Sequence, residues 1–173
     1  MTTYKYPFLA KLFYRYANIP ATILLLIHLI SSIMMIPDQP SFMLPASINA
    51  LVIFVLNRFY YKIYKHFPFT VEIDNEKMIC SNFMYSTRKV EIMISNIDEI
   101  KGGTFSGHIT RPVYIHDATQ NVTLGFYHHL KNYNKFITTI LSNVDKKLYD
   151  QLLERMKEIG DLNKMKRNKR ARK

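Results

Sequence analysis

The chain has 173 residues, a net charge of +11 and a single cysteine. One thiol excludes an intrachain disulfide framework and leaves no cysteine pair for a structural zinc site, and a hydrophobic content of 48% excludes a wholly disordered chain. Residues 1–65 carry six basic and one acidic side chain, residues 66–160 eleven of each, and residues 161–173 seven and one. A neutral middle between two basic ends argues against a nucleic-acid-binding fold, whose basic patch would lie on the folded domain.

The first predicted element is a transmembrane helix over residues 19–36. These 18 residues carry no charge, and as a helix they would be about 27 Å long, close to the hydrocarbon thickness of a thin bilayer. A signal peptide is the alternative, but its apolar core would be shorter and a cleavage site with small residues would follow. Pro37-Asp38-Gln39-Pro40 follows instead, so a retained helix is favoured.

A second span is predicted over residues 43–61, although Pro45, Ser47 and Asn49 interrupt its apolar run. It reaches spanning length if Arg58 extends toward the headgroups. A buried soluble helix and a re-entrant segment are the alternatives. Aromatic side chains flank both spans and predict interfacial belts: Tyr4, Tyr6, Phe8, Phe13, Tyr14 and Tyr16 before the first, and Tyr60, Tyr61, Tyr64 and Phe67 after the second. Residues 1–66 are thus predicted to form a membrane hairpin.

The basic residues give this hairpin an orientation. Residues 37–45 carry no Lys or Arg, whereas the outer flanks carry predicted interface anchors at Lys11, Arg15, Arg58, Lys62 and Lys65. The positive-inside rule therefore predicts that the N-terminus and everything after residue 58 are cytoplasmic, on the inner membrane. The lipid bilayer is the first predicted partner.

Two polar residues inside the predicted spans are candidate functional residues. His28 lies in the middle of the first, and Asn49 lies in the outer half of the second. Polar side chains are costly when they face lipid, so we expect both to face another helix. A hydrogen bond that only holds helices together is one interpretation, and a proton or ion pathway built within a homo-oligomer is the other.

Residues 67–160 change to the alternating pattern of short strands and are predicted to form a cytoplasmic domain. Val90, Ile92 and Ile94 fall on one strand face. The predicted strands lie at residues 70–73, 78–80, 89–94, 97–101, 113–116 and 122–126, with a turn at Asp117-Ala118-Thr119-Gln120 and a loop or bulge at Gly102, Gly103 and Gly107. This gives about six or seven antiparallel strands.

Helices end the domain. From Asn132, the residues Phe136, Ile137, Ile140, Leu141 and Val144 have the spacing of a buried helical face. Asp145 is the predicted cap of a second helix, which would end at Gly160. The fold class is therefore α+β, with a transmembrane hairpin followed by an antiparallel sheet structure that a C-terminal helix covers.

This arrangement resembles small bacterial membrane proteins with a pleckstrin-homology-like (PH-like) domain. The resemblance is carried by the opening hairpin at 69–80, by Val90-Glu91-Ile92-x-Ile94-x-x-Ile97-x-x-Ile100, by residues 113–126 and by the helical pattern from Asn132. It covers about 90 residues of the domain and implies a PH-like barrel without enzymatic activity, often within oligomeric or multiprotein membrane assemblies.

One departure from that family concerns lipid headgroups. PH domains that bind phosphoinositides carry Lys and Arg on and beside the first strand hairpin, whereas this hairpin reads Glu72-Ile73-Asp74-Asn75-Glu76-Lys77. An acidic hairpin repels an anionic headgroup. Headgroup recognition at that position is therefore not expected.

No catalytic or metal site is predicted. His108, His116, His128 and His129 lie close in sequence but lack a metal-ligand spacing on a helix. Residues 102–107 lack the Gly-Lys-Ser/Thr end of a phosphate loop, Ser106 with His108 and Asp117 lacks a nucleophile elbow, and Cys80 has the pattern of a core residue. No cofactor and no small-molecule substrate is predicted.

The C-terminal residues 161–173 are predicted to be a basic, disordered tail. Its candidate anionic-surface contacts are Lys164, Lys166, Arg167, Lys169, Arg170, Arg172 and Lys173. A solvated terminus, attraction to anionic cytoplasmic lipids and non-specific binding of nucleic acid are the three interpretations. Nucleic acid is not otherwise expected as a partner.

Together these patterns predict a non-catalytic membrane protein whose cytoplasmic PH-like domain is a scaffold or interaction module, with a protein partner or a homo-oligomer as its assembly. The alternative is a small membrane transporter or channel subunit, in which His28 and Asn49 would carry the function.

Overall fold

The computed structural model describes residues 1–108 and 110–171, with side chains through residue 162. The chain divides into two units. The helical unit comprises Phe8–Lys65, and the strand-rich unit comprises Met1–Pro7 together with His66–Lys173.

The helical unit contains the two apolar helices that the sequence predicts. Helix α1 (Phe8–Tyr16) leads into α2 (Asn18–Met35), and a short 3-10 turn at Pro40–Phe42 precedes α3 (Met43–His66). Pro45 is tolerated because it lies in the first turn of α3, where its missing N–H would have no partner within the helix. The segments Phe8–Met35 and Pro40–His66 are each long and apolar enough to cross a bilayer.

The strand-rich unit contains two antiparallel sheets whose strands follow one another in chain order. The first sheet consists of β1 (Thr2–Lys5), β2 (Thr70–Ile73), β3 (Lys77–Ser81) and β4 (Val90–Met93). The second consists of β5 (Ile97–Gly102), β6 (Val113–Asp117) and β7 (Val122–Phe126). No strand pairing closes these sheets into one barrel in the part of the chain that the structure describes.

Strand β1 is the strand that the sequence analysis missed. It pairs with β2 from Thr2 opposite Ile73 to Lys5 opposite Thr70. The helical unit is therefore inserted between two neighbouring strands of one sheet. Residues 1–7, which were predicted to belong to the membrane hairpin, are part of the strand-rich unit instead.

The position of β1 also corrects part of the predicted aromatic belts. Tyr4 and Tyr6 are buried in the strand-rich unit, where Tyr4 packs against Phe136 with ring centroids 5.6 Å apart. The Tyr6 hydroxyl accepts a hydrogen bond from the Tyr127 N–H at 2.9 Å. These rings therefore belong to a protein core.

Phe67 is also a core residue where the sequence predicted an interface residue. It is buried, and its ring stacks on Tyr127 with centroids 4.6 Å apart. Its ring also lies over Gly125, where a side chain would collide with it. The two links between the units are short, with two residues between β1 and α1 and three between α3 and β2. Each link contains a buried aromatic residue, Tyr6 in the first and Phe67 in the second.

The core of this unit confirms the predicted strand faces. Val90 and Ile92 on β4 are buried, as their alternation indicated, and Ile94 is also buried but lies in the 3-10 turn that follows β4. Phe136 on helix α4 (Tyr133–Leu141) is fully buried and packs against Phe126 with centroids 5.0 Å apart. The helix therefore covers the sheet, as its hydrophobic spacing predicted.

The glycine loop after β5 is confirmed by its backbone. Gly102, Gly103 and Gly107 all have positive φ angles, of 82°, 51° and 72°. A Cβ at Gly102 would collide with the carbonyl oxygen of Pro112, and one at Gly103 with the Val113 side chain. The reversal from β5 toward β6 therefore requires glycine at both positions.

The end of the chain differs from the prediction. Helix α5 (Lys146–Ala171) continues past Gly160, which does not end it, and extends into the region predicted as a disordered tail. The predicted tail contacts, Lys164, Lys166, Arg167, Lys169, Arg170, Arg172 and Lys173, lie outside the residues whose side chains are described.

We predict that β1 is required for the stability of the strand-rich unit. Tyr4→Ala should lower its free energy of unfolding by about 3 kcal/mol because it empties a buried aromatic site. Tyr4→Phe is the matched control, since it removes a buried hydroxyl that has no partner in the described part of the chain. It should be nearly neutral.

The measurement is urea-dependent labelling of Cys80 in the full-length protein, because Cys80 is the only cysteine and is fully buried. Thr3→Ala, at an exposed position of the same strand, should change stability by less than about 0.5 kcal/mol. Equal labelling of all three variants would contradict a core role for β1.

Candidate functional site

The facing sides of α2 and α3 follow a coiled-coil spacing. On α2 a stripe of buried or half-buried residues comprises Asn18, Thr22, Leu25, Leu29 and Ser32, at steps of four and three. On α3 the corresponding residues are Ala46, Asn49, Ile53 and Leu56. Such steps keep one stripe of each helix against its neighbour. Small and polar residues in that stripe are typical of helix packing in membranes.

We define the polar seam as Asn18, Thr22, His28, Ser32, Asn49, Asn57 and Tyr64, the residues whose polar side chains lie at this interface. Its first cluster joins the beginning of α2 to the end of α3. Asn57 donates to Thr22 Oγ1 at 3.0 Å, and Asn18 donates to Asn57 Oδ1 at 3.2 Å. The Tyr64 hydroxyl lies 2.6 Å from Asn18 Oδ1 and 3.0 Å from the Arg15 carbonyl oxygen.

The second cluster lies nearer the turn and contains the two polar residues that the sequence singled out. Asn49 Nδ2 lies 2.6 Å from His28 Nδ1. The Ser32 hydroxyl donates to the His28 carbonyl oxygen at 2.9 Å and lies 3.5 Å from Nδ1. The structure thus brings His28 and Asn49 into direct contact across the two helices.

The outer surface of the two helices is apolar. Leu24, Met34 and Phe54 are 69%, 73% and 61% exposed, and they represent a larger set of exposed hydrophobic side chains along α2 and α3. The polarity is therefore inverted relative to a soluble helix pair, with polar groups between the helices and apolar groups outside.

The predicted basic anchors lie at the ends of the helices that are remote from the turn. Lys11 and Arg15 are half-buried on α1, and Arg58, Lys62 and Lys65 are exposed on α3. The bond from Tyr64 to the Arg15 carbonyl oxygen brings these two ends together. The turn itself, residues 36–42, carries Asp38 and no basic residue.

The histidines of the strand-rich unit do not converge on one point. His116 pairs with Asp98 at 2.7 Å, and this hydrogen bond raises the pKa of His116. The rings of His128 and His129 lie against each other with centroids 3.8 Å apart. No group of three or more metal-ligating side chains occurs within residues 1–108 and 110–162.

Cys80, Asp117 and Ser106 are buried or hydrogen-bonded in ways that stabilise the fold. Cys80 is buried in β3, and burial raises the pKa of its thiol well above the usual range. Asp117 is buried, and its Oδ1 accepts hydrogen bonds from the Thr119 and Gln120 N–H groups at 2.8 and 3.2 Å. The predicted turn at residues 117–120 is thereby confirmed, with Asp117 as the side chain that holds it. The Ser106 hydroxyl donates to the Gly103 carbonyl oxygen at 3.1 Å within its own loop.

A shallow groove of about 800 Å³ lies beside the start of α4. Thr104, His128, Tyr133 and Lys135 are among its lining residues. His128 Nδ1 has no hydrogen-bond partner among the described residues.

Comparisons with protein-family models, with curated proteins and with solved structures find no match to this chain.

Sequence reasoning missed five residues of the polar seam, namely Asn18, Thr22, Ser32, Asn57 and Tyr64. A usable signal was present, because Asn18 and Thr22 precede Leu25, Leu29 and Ser32 at steps of four and three. Only the pairing of the two helices reveals that Asn57 faces Thr22.

We predict a measurable coupling between Asn57 and Thr22. Asn57→Ala and Thr22→Val should each weaken the helix pair, with a coupling energy of about 0.6 kcal/mol and at most about 1.7 kcal/mol. The measurement is a double-mutant cycle on unfolding in mixed micelles, followed by far-UV circular dichroism. Ser47→Ala is the control, since its hydroxyl bonds only to the Met43 carbonyl oxygen of its own helix. Strictly additive effects would contradict the contact.

Proposed function

We propose that this chain is a non-catalytic integral membrane protein whose helical hairpin anchors a cytoplasmic PH-like interaction domain. The observation that carries the proposal is the inverted polarity of the hairpin. In the most apolar stretches of its two helical segments, only 11% and 6% of the residues are buried. A core helix of a soluble protein would be mostly buried, so a bilayer is the solvent that fits this surface.

The position of β1 argues against a cleaved signal sequence. Cleavage after α2 would remove the strand that pairs with β2 and the buried ring of Tyr4. A retained first helix keeps the sheet complete.

The same strand supports an even number of membrane crossings. Lys5 and Thr70 are directly opposite each other in one sheet, so the chain must leave and return on the same side of the membrane. Two spans satisfy this condition. With the basic residues at that side and none in the turn, the positive-inside rule favours a cytoplasmic strand-rich unit and cytoplasmic termini.

The PH-like assignment rests on strand order and on the covering helix. Seven antiparallel strands follow one another in two sheets, and α4 packs its Phe136 on the second sheet. Hydrogen bonds from the Lys131 N–H to the Lys5 carbonyl oxygen, at 3.1 Å, and from the Tyr127 N–H to the Tyr6 hydroxyl link the two sheets beside β1 and β7. These bonds favour a half-open barrel closed at one end.

The acidic opening hairpin favours a protein partner over an anionic headgroup. The Asp74 carboxylate accepts the Glu76 and Lys77 N–H groups at 3.0 and 2.9 Å. Lys77, the one basic residue there, pairs with Glu91 at 2.8 Å. The hairpin therefore offers no free cluster of basic groups to a phosphate.

The rival function is that of a small transporter or channel subunit. The observation in its favour is the contact between His28 and Asn49, two polar residues within the apolar helices. A continuous polar path would require further polar groups, since the outer faces of both helices are apolar.

Topology is tested by single-cysteine labelling in a Cys80→Ala background. Gln39→Cys, in the exposed turn, should react with a membrane-impermeant thiol reagent in intact cells. Thr3→Cys and Glu76→Cys, both exposed in the strand-rich unit, should react only after permeabilisation. Labelling of all three in intact cells, or of none, would contradict a spanning hairpin.

The interaction function is tested by purification in detergent with mass determination and identification of co-purifying proteins. We expect a defined homo-oligomer or a stoichiometric protein partner. A lone monomer that transports ions or protons in liposomes in a manner dependent on His28 would favour the rival function instead.

A further inference from the structure

The His28–Asn49 contact leaves two polar atoms available at its outer side. Asn49 Nδ2 faces His28 Nδ1, and the imidazole tautomer that fits this contact accepts at Nδ1 and carries its hydrogen on Nε2. Neither His28 Nε2 nor Asn49 Oδ1 has a hydrogen-bond partner among the residues that the structure describes. His28 is exposed and Asn49 is half-buried.

The serines in the same part of the hairpin behave differently. Ser31 donates to the Ile27 carbonyl oxygen at 2.9 Å, Ser32 to that of His28 at 2.9 Å, and Ser47 to that of Met43 at 2.8 Å. Each of these hydroxyls is satisfied within its own helix. The His28–Asn49 pair is therefore the place where the hairpin keeps both a donor and an acceptor for another molecule.

The surroundings of the pair argue against water and lipid headgroups as its hydrogen-bond partners. Leu24 and Ile27, next to His28 on α2, are exposed and apolar. His28 lies eight residues before Ile36, which places it about 12 Å from that end of the helix. In a spanning hairpin, which is the proposed function on which this inference rests, that depth lies within the hydrocarbon. A free N–H or C=O group there is costly.

We propose that a second copy of this chain covers the His28–Asn49 pair and forms a two-fold symmetric dimer within the membrane. The pair is self-complementary, since it carries one donor and one acceptor side by side. A two-fold axis lets the Nε2–H of each copy donate to the Asn49 Oδ1 of the other, so that two equivalent hydrogen bonds satisfy the donor and the acceptor of both copies. Hydrogen bonds between Asn or His side chains on different helices stabilise such association.

The first test measures dimerisation of the full-length chain in liposomes by energy transfer between labelled copies. His28→Leu and Asn49→Leu should each weaken the dimer by about tenfold. Ser47→Ala is the matched control, because it removes a hydroxyl of the same helix that bonds only internally, and it should leave the dimer unchanged. Circular dichroism and protection of Cys80 establish that each variant is folded.

The second test does not depend on disrupting the pair. In a Cys80→Ala background, Leu24→Cys lies one helical turn before His28 on the same face, whereas Ile30→Cys lies on the opposite side of α2. Both positions are exposed. Oxidation should give interchain disulfides at Leu24→Cys and few at Ile30→Cys, and adding His28→Leu should reduce the yield at Leu24→Cys.

These outcomes separate the dimer from the membrane topology. A monomer that nevertheless passes the Gln39→Cys labelling test would overturn the dimer and leave the spanning hairpin intact. Equal crosslinking at both positions, or a different protein bound stoichiometrically at Leu24→Cys, would also overturn it. Protein that fails the labelling test would remove the proposed function itself.

Discussion

The pairing of β1 with β2 is the interaction on which the rest of this structure depends. Four residues at the start of the chain must find a strand that begins 65 positions after Lys5, and the helical unit is the loop that this pairing closes. The entropy of closing so long a loop grows only slowly with its length, and the buried Tyr4 ring on Phe136 offsets that cost. Because the two strands are neighbours, the residues that precede and follow the helical unit are held side by side in one sheet. The helical unit must therefore begin and end close together because of a contact within the strand-rich unit, and this holds whatever solvent surrounds the helices.

The helical hairpin distributes its polar groups in a way that matches this constraint. The Tyr64–Asn18–Asn57–Thr22 cluster lies near the ends that the sheet holds together, and the His28–Asn49 cluster lies toward the turn. In a bilayer the hydrophobic effect does not drive two apolar helices together, so close packing and these hydrogen bonds must determine the register of α2 against α3. The first cluster satisfies its groups within the hairpin. In the second cluster His28 Nδ1 and Asn49 Nδ2 contact each other, but His28 Nε2 and Asn49 Oδ1 have no partner among the described residues. The first cluster is therefore an internal contact, and the second is a surface that needs a partner.

Most of the fold could be predicted from periodicity, and the part that could not depended on contacts distant in sequence. The two long apolar helices and six of the seven strands in the described part of the chain follow from runs of apolar residues and from alternation, both of which are local. Strand β1 reads Thr-Thr-Tyr-Lys, too short to show a period, and its aromatic residue resembles an interface residue beside an apolar span. Tyr6 and Phe67 were misassigned for the same reason, because an aromatic ring near a membrane helix suits either a belt or a core. For the candidate site, His28 and Asn49 stood out as polar residues in apolar runs. Their mutual contact required the rotational phase of both helices, which one sequence does not give.

The short links between the two units give dimerisation a consequence for the domain. Only two residues join β1 to α1 and three join α3 to β2, and Tyr6 and Phe67 within those links are buried in the strand-rich unit. Connections this short cannot act as long flexible tethers. If two hairpins associate through His28 and Asn49, the two strand-rich units attached to them have an effective concentration far above that of free domains. A weak contact between domains, or between each domain and one site of a bivalent partner, then becomes strong without any new interaction. Assembly in the membrane would thus determine which partners the domains can bind.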